Sequence, residues 1–241
     1  MQSVQEQLLI HPAQGTVEEL ARQWEGQSAE ATLVEAARAF GEGLVLACSL
    51  GPEDIVLVDM LARVSPAPRA FFLDTGYHFP ETLELKERVV ARYPNLQLEV
   101  VTPLLTVAEQ NAQYGERLHD REPDRCCAIR KVEPLNRALR PYRAWITGMR
   151  REQAPTRSDI GVVQWDSRRG MIKFNPLAAW THKQVWAYIV ERGLPYNPLH
   201  DQGYPSIGCA PSSCTAPVAP GADPRSGRWS GKGKTECGLH T

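Results

Sequence analysis

The sequence predicts an α/β fold, with a parallel sheet and helices on both of its faces, in a single domain with a mobile C-terminal tail. Three observations predict it. Short apolar runs typical of buried strands alternate with amphipathic runs typical of helices. The 241 residues are enough for one sizeable α/β core. Beyond residue 194 this pattern gives way to a stretch rich in Pro, Gly and Ser, which indicates an ordered loop region and a tail.

The elements follow from local signals along the chain. Two amphipathic helices come first, and Ser28 is the expected N-cap of the second. Pro80 suits the first turn of a later helix, and Gly193 suits a helix C-cap. The predicted strands are GLVLAC, RAFFLDT, LQLEVV and RAWITG, and the helices after them are DIVLVDMLARV, PETLELKERVVARY, a basic helix near 127–140, and THKQVWAYIVERG. We divide the domain into N-terminal helices (1–40), an α/β body (41–200) and a cysteine loop with the tail (201–241).

Composition limits the class of protein. Hydrophobic residues make up 42% and charged residues 23% of the chain, which is ordinary for a soluble globular protein. We find neither a secretory signal nor a run long enough to span a membrane, so we expect a cytoplasmic protein. In that reducing compartment six cysteines indicate metal binding or catalysis rather than a disulfide framework. Only Cys48, in LVLAC, has the surroundings of a buried strand residue.

The turn SLGPED joins the first strand to a helix, where backbone N–H groups and the helix dipole favour an anion. Its candidate ligand-binding residues are Ser49, Gly51 and Asp54, although many such turns hold no ligand. The turn is similar to a pyrophosphatase loop, SGGxDS, but lacks the second glycine and has Asp54 in place of the last serine. This change argues against ATP cleavage here. The ends of other strands add DTGYHF and TGMRREQAPTR to the same edge of the sheet.

Two cysteine pairs form a second constellation. Cys126 and Cys127 are expected at the start of a helix, and CAPSSC contributes Cys209 and Cys214. Neighbouring helical side chains point about 100° apart, so an adjacent pair converges only on a large centre, which favours an iron–sulfur cube over one zinc ion. We expect the helix N-terminus, with Arg130 and Lys131, to lower the pKa values of these thiols. A zinc site and a plain reduced thiol pair stay open as alternatives.

Charge is distributed unevenly. Residues 121–157 contain ten Lys or Arg against four Asp or Glu, although the net charge of the chain is −1. A solvated helix face, a nucleic-acid surface and a site for a compact, multiply charged anion are three interpretations. No nucleic-acid-binding module is recognisable, which counts against the second of them.

The chain closes with KTECGLHT, which places Cys237 near its end. Such a short tail has little surface to bury, so packing explains this cysteine poorly. A thiol on the Gly-rich hinge SGKGK could swing into a site built elsewhere, activated by Lys232, Lys234 or His240. The alternative is a disordered terminal cysteine without a role.

Together these stretches resemble the sulfonucleotide (phosphoadenylyl-sulfate) reductase family, and within it the assimilatory adenylyl-sulfate reductases. The combination of ECGLH with CCAIRKVEPL is the most specific part of the resemblance. The matching stretches are CSLGPED, FFLDTGYHFPETLEL, CCAIRKVEPL, ITGMRREQAPTR, NPLAAWTHKQVW, LPYNPLHDQGYPSIGC and KTECGLH. The resemblance implies a Rossmann-like, adenine nucleotide alpha hydrolase-like fold. It also implies reduction of adenylyl sulfate to sulfite and AMP by thioredoxin or a similar dithiol, in sulfate assimilation and cysteine biosynthesis.

The resemblance further implies roles for single residues. Cys237 is implied to attack the sulfur atom, which gives an S-sulfocysteine on the tail. The implied ligands of a [4Fe–4S] cluster are Cys126, Cys127, Cys209 and Cys214. The implied substrate-binding residues are Ser49, Gly51, Asp54, Leu73, Asp74, Thr75, Lys131, Arg150, Arg151, Arg157, Arg225, Arg228 and His240. The implied partners are the nucleotide and the dithiol donor, without nucleic acid or membrane, and a homo-oligomer is left open.

One departure bears on the cofactor. The second cysteine pair of the family is CxxC, whereas four residues separate Cys209 from Cys214, so that Ser212 and Ser213 form an apparent insertion. The alternative functions are a phosphoadenylyl-sulfate (PAPS) reductase, a non-redox PP-loop enzyme that uses ATP, and an iron–sulfur or zinc regulatory protein without turnover.

Overall fold

The computed structural model describes residues 14–232, 234 and 236–240. The first thirteen residues of the predicted helical segment 1–40, and Gly233 and Thr235 around the tail hinge, lie outside the described residues, as does Thr241. Within the described part, no helix has both the length and the apolar character needed to cross a membrane.

A six-stranded sheet organises the chain, in the order β3-β2-β1-β4-β6-β5. The first four strands are β1 (Leu44–Ala47), β2 (Arg69–Leu73), β3 (Gln97–Val101) and β4 (Ala144–Ile146). They pair in parallel, and β1 lies at the centre, with Leu46 opposite Ala70 of β2 and Ile146 of β4. The predicted α/β fold and its four strands are confirmed. Cys48 is buried as predicted, but it follows β1 rather than lying in it.

Two strands were not predicted. β5 (Val163–Asp166) and β6 (Met171–Phe174) form an antiparallel hairpin, and β6 pairs in parallel with β4. The segment lacks a clear strand pattern because Lys173 interrupts the apolar run of β6 and the turn between the strands is charged. An Asp166–Arg169 ion pair of 2.8 Å closes that turn, and Gly170 takes the positive φ of 63° that the turn requires.

Nine α-helices are found among the described residues. Their bounds are α1 (Gln14–Trp24), α2 (Ala29–Phe40), α3 (Pro52–Val64), α4 (Pro80–Arg92), α5 (Val107–Tyr114), α6 (Leu118–Arg121), α7 (Pro123–Cys127), α8 (Glu133–Leu139) and α9 (His182–Glu191). The cap positions predicted at Ser28, Pro80 and Gly193 are confirmed. The Ser28 hydroxyl accepts a hydrogen bond from the Ala31 N–H at 3.1 Å, and Gly193 follows α9 with a φ of 54°.

The basic helix predicted near 127–140 is confirmed as part of a continuous helical run over 123–139, which contains a π-helical turn. α7 ends at Cys127, a π-helical turn covers Ala128–Val132, and α8 begins at Glu133. Pro134 directly follows the π-helical turn region, where a wider turn suits a proline that has no N–H to donate and whose ring clashes with a preceding α-helical turn. The prediction that Cys126 and Cys127 lie near the start of a helix is confirmed, with Pro123 as its first residue.

Apolar side chains cover both faces of the sheet. The larger cluster packs helices α1, α2, α3, α4 and α9 against one face. On the other face, a smaller cluster contains Leu135 and Leu139 of α8 with Trp145 of β4. Leu239 of the tail is half-buried against this second cluster. The tail therefore completes the packing of one face of the sheet.

Gly148, just after β4, allows the backbone to pass close to the turn after β1. A Cβ atom at this position would lie 2.4 Å from Asp54 Oδ1 and 2.8 Å from Glu53 Cβ. We expect Gly148→Ala to lower the free energy of unfolding by about 1–3 kcal/mol, measured by urea denaturation. Gly43→Ala is the matched control, since its Cβ would meet nothing closer than 3.5 Å. Equal stability of the two variants would contradict the prediction.

Candidate active site

The Asp54 carboxylate stabilises the turn that follows β1. The backbone N–H and the hydroxyl of Ser49 both donate to Asp54 Oδ2, each at 2.6 Å. Leu50 adopts a positive φ of 63°, and Gly51 directs its N–H toward the Ser49 hydroxyl at 3.4 Å. The residue that replaces the last serine of the pyrophosphatase loop therefore shapes the turn. The predicted contacts of Ser49, Gly51 and Asp54 with a nucleotide stay predictions.

Burial raises the pKa of the Asp54 carboxyl to about 6, and the hydrogen bonds from Ser49 oppose this shift only in part. The folded state therefore holds this proton at pH values where the unfolded chain has lost it. The contribution of Asp54 to stability is present below about pH 4 and is lost as the pH rises through about 6.

We expect Asp54→Asn to remove that pH dependence. Between pH 4 and pH 7 the difference in unfolding free energy between wild type and variant should shift by about 3 kcal/mol, because one pKa unit corresponds to about 1.4 kcal/mol. Urea denaturation at several pH values measures it, with the exposed Asp159→Asn as control. Parallel stability curves for wild type and Asp54→Asn would contradict the assignment.

The turn after β2 links the sheet to the cysteines. Asp74 Oδ1 accepts the Gly76 N–H at 2.9 Å, and the Leu73 carbonyl oxygen lies 2.9 Å from a ring nitrogen of His78. The Thr75 carbonyl accepts from Arg130 Nε, and its hydroxyl lies 3.5 Å from Cys209 Sγ. The end of β2 thus touches the second cysteine pair directly.

The four cysteines predicted as ligands lie together. Cys126, Cys127, Cys209 and Cys214 are all buried and line one small cavity, and we call these four residues the cysteine cluster. The cavity is also lined by Tyr77, His119, Pro123, Arg130, Lys131 and Trp229. In the described part of the chain, no three His, Cys, Asp or Glu side chains form a group that could hold a metal ion.

The longer spacing of the second pair does not separate its cysteines. The Cys214 N–H donates to the Pro211 carbonyl at 2.7 Å, which folds the loop back toward Cys209. Ser213, from the apparent insertion, places its hydroxyl 3.2 Å from His119 Nδ1 on α6. The two additional residues therefore form an anchored turn.

The pKa values of the thiols differ from the expectation. Burial raises the pKa of Cys126 to about 12 and also raises those of Cys127 and Cys214. For Cys209 burial is opposed by the charges of Lys131 and Arg228 and by Thr75, which together hold its pKa below the usual value. The prediction of lowered pKa values was wrong for three thiols, because burial outweighs the nearby cations.

The described part of the tail is docked on the body. Cys237 is half-buried against the cysteine cluster. The Glu236 carboxylate binds Arg157 and Arg225, which we call the arginine clamp. His240 stacks on Trp145 with ring centroids 5.6 Å apart. Glu236, Cys237 and His240 thus hold the tail at three places: the arginine clamp, the cysteine cluster and Trp145.

Burial, with the charges of Arg157 and Lys173, holds the pKa of His240 well below its usual range. The imidazole is therefore neutral at ordinary pH. Its Nδ1 atom is buried and finds no hydrogen-bond partner among the described residues.

Two further cations predicted for the site lie beside the cysteines. Burial alone would lower the pKa of the Lys131 ammonium, but negative charge on Cys209 and Cys237 raises it above its ordinary value. Arg228 donates to the Cys214 carbonyl at 3.1 Å and lies over the Trp229 ring at 4.5 Å. Positive charge is therefore concentrated where Cys237 docks.

Arg150 and Arg151 have different surroundings. Arg150 is buried and bonds Glu53 at 2.8 Å and Glu152 at 2.9 Å. Arg151 binds Glu25, the residue that follows α1, at 2.5 Å. Both guanidinium groups hold protein carboxylates, and the Arg150 backbone N–H shares the acceptor Gln153 Oε1 with Arg157 of the arginine clamp. Their substrate contacts stay predictions.

Sequence reasoning missed the role of Trp229. It is 2% exposed, and its ring faces three cations: Lys131, Arg228 and Lys234. It also missed the Glu236 carboxylate, although this residue stands next to Cys237. The available signal was an acidic residue next to the candidate nucleophile in a region rich in arginine and lysine.

The fold is an α/β fold that solved structures share. An FMN adenylyltransferase from Candida glabrata is similar in fold, with a TM-score of 0.55 at 16% identity over 89% of this chain and 70% of that one. A phosphoadenylyl-sulfate (PAPS) reductase from Candida auris, solved as a phosphate complex, is more similar. Its TM-score is 0.71 at 32% identity, over 82% of this chain and 95% of that one.

Sequence comparison identifies the family within this fold class. Residues 43–217 match the phosphoadenosine phosphosulfate reductase domain, and the chain belongs to this family. A relative from Gloeobacter violaceus, named phosphoadenosine 5'-phosphosulfate reductase, is 73% identical over the full length of both chains. A relative from Geobacillus kaustophilus, named adenosine 5'-phosphosulfate reductase, is 51% identical over 86% of this chain and 88% of its own. The recognition made from the motifs is confirmed.

Proposed function

We propose that the protein is a thioredoxin-dependent adenylyl-sulfate reductase that forms sulfite and AMP through an S-sulfocysteine on Cys237. One observation carries the proposal. The Cys237 thiol docks beside the cysteine cluster and Lys131, in the region where the arginine clamp and Arg228 concentrate positive charge. A nucleophile among fixed cations, next to the carboxyl edge of a parallel sheet, suits attack on an anionic nucleotide.

The proposed reaction has two transfers. The Cys237 thiolate attacks the sulfur of the phosphosulfate, an S–O bond breaks, and AMP leaves with the bonding electron pair. A dithiol donor such as thioredoxin then attacks Cys237 Sγ, and sulfite leaves with the S–S electron pair. The second donor thiol resolves the mixed disulfide, so the donor is oxidised and Cys237 returns as a thiolate.

Charge repulsion is the main obstacle to the first transfer, because the thiolate and the sulfonate are both anions. Lys131 is half-buried beside Cys237, and Arg228 is held by the Cys214 carbonyl and Trp229. These cations are already ordered, so they stabilise the transition state with little reorganisation.

We propose a [4Fe–4S] cluster as the cofactor. The four thiols of the cysteine cluster fit it, because they are soft ligands that surround a cavity, and Lys131 and Arg228 next to them offset negative charge. Cys126, Cys127, Cys209 and Cys214 would hold it. Bound there, the cluster would join α7 to the second cysteine loop and set the local electric field. Such thiols stay reduced in the cytoplasm, where we place the protein.

Substrate choice is the part of the proposal that needs the most direct test. Relatives carry the names of both nucleotide reductases. We propose adenylyl sulfate, because the resemblance associates the two cysteine pairs with that nucleotide. Sulfite release from each nucleotide, and from both in competition, tests this with thioredoxin and its reductase supplied. A strong preference for the 3′-phosphorylated nucleotide would overturn the substrate assignment, and no sulfite from either would overturn the activity.

A further inference from the structure

The Glu236 carboxylate occupies a site made for an anion. Its two oxygens accept from Arg157 Nε at 2.9 Å and Arg157 Nη2 at 2.8 Å, a bidentate pair. Arg225 Nη2 adds a contact of 3.2 Å, and the Thr156 hydroxyl adds one of 3.3 Å. The Arg157 side chain is only 9% exposed and that of Glu236 14%, so water screens this pair weakly.

The same clamp suits a sulfate or phosphate group. A guanidinium fork binds carboxylate and phosphate oxygens in the same bidentate geometry. Hydrogen bonds from Arg157 and the charges of Arg157 and Arg225 outweigh burial and keep the pKa of Glu236 low, so the tail presents a full negative charge. The clamp cannot hold this carboxylate and an oxyanion of a ligand in the same place.

We propose that Glu236 is a positioning residue that docks Cys237 by filling the arginine clamp, and that the sulfate or phosphate group of the nucleotide competes with it. The competition rests on the proposed function, whereas the docking rests on the contacts alone. Glu236 precedes Cys237 directly, so release of its carboxylate frees the thiol from the cysteine cluster. Leu239 and His240 then remain as the apolar anchors of the tail.

Alkylation of Cys237 tests the docking without turnover. Neutral iodoacetamide is applied to the full-length protein, and mass spectrometry follows the C-terminal peptide that carries Cys237. We expect Glu236→Gln to raise the alkylation rate about tenfold or more, since hydrogen bonds between charged groups contribute about 1.5–3 kcal/mol. Glu84→Gln, an exposed change on α4, should react like wild type.

Inorganic sulfate tests the competition. We expect sulfate to raise the Cys237 alkylation rate of wild type toward that of Glu236→Gln, and to leave the variant unchanged. Sodium chloride at equal ionic strength should have a smaller effect, because it lacks bidentate oxygens. Cys237 reactivity that responds neither to Glu236→Gln nor to sulfate overturns the proposal.

Steady-state kinetics add a readout that a purely structural residue would not give. We expect Glu236→Gln to lower KM for the nucleotide, because a competitor of the nucleotide is removed from the arginine clamp. A higher KM with unchanged kcat contradicts the competition. If neither nucleotide gives sulfite while the alkylation pattern holds, the proposed function fails and the docking by Glu236 stands.

Discussion

Cys237→Ser is expected to lower sulfite release by at least about a thousandfold while nucleotide affinity stays within about threefold of wild type. A serine hydroxyl is not ionised near neutral pH and is a harder nucleophile, so it cannot replace a thiolate in attack on sulfur. Binding survives because the sheet turns and cations are unaffected by this change. Single-turnover sulfite release measures the first quantity and calorimetric titration of the nucleotide measures the second.

The control for this variant is Cys48→Ala. Cys48 is buried at the end of β1 and its thiol pKa is raised by burial, so it offers no accessible thiolate. We expect Cys48→Ala to retain sulfite release near the wild-type rate. Normal turnover by Cys237→Ser would show that another group attacks the sulfur, and the role proposed for the tail would fall.

The pattern of apolar residues predicted strands β1 to β4 and the helices between them. Strands β1 to β4 each combine an apolar run with a flanking turn, and these features are local. The β5–β6 hairpin lacks that pattern, since Lys173 lies in the strand and is buried over the Trp145 ring at 5.9 Å. A buried lysine of this kind is stabilised by a tertiary contact that no local window contains.

In the site, too, sequence motifs predicted which residues take part but not which distant residues they contact. The motifs predicted the cysteine pairs, and the structure places all four of those cysteines in one cavity. They did not predict that Glu236 reaches Arg157, which is 79 residues away, or that Arg150 and Arg151 bind different carboxylates. Neighbours in sequence point in different directions, so a motif locates a site more reliably than it assigns each side chain.

Replacing Cys214 by alanine is the second change with a large expected effect. Anaerobically purified wild type should contain about four iron and about four labile sulfide atoms per chain, and Cys214→Ala should lose most of both. Without Cys214 the cluster would keep three thiolate ligands, Cys126, Cys127 and Cys209. One of its iron atoms would then lack a protein ligand, so the cluster would be lost easily. Chemical analysis of iron and sulfide, with the visible absorption of the cluster, measures the loss.

Ser213→Ala is the matched variant that separates the ligand from its loop. Ser213 anchors the turn through His119, but it offers no sulfur, so we expect this variant to keep most of its iron. Cys48→Ala should keep all of it, because Cys48 lies outside the cysteine cluster. If Cys214→Ala and the parallel Cys209→Ala retain the iron of wild type, the four thiols do not form the ligand set. The cavity then encloses ordinary reduced cysteines beside Lys131, and its positive charge serves the substrate alone.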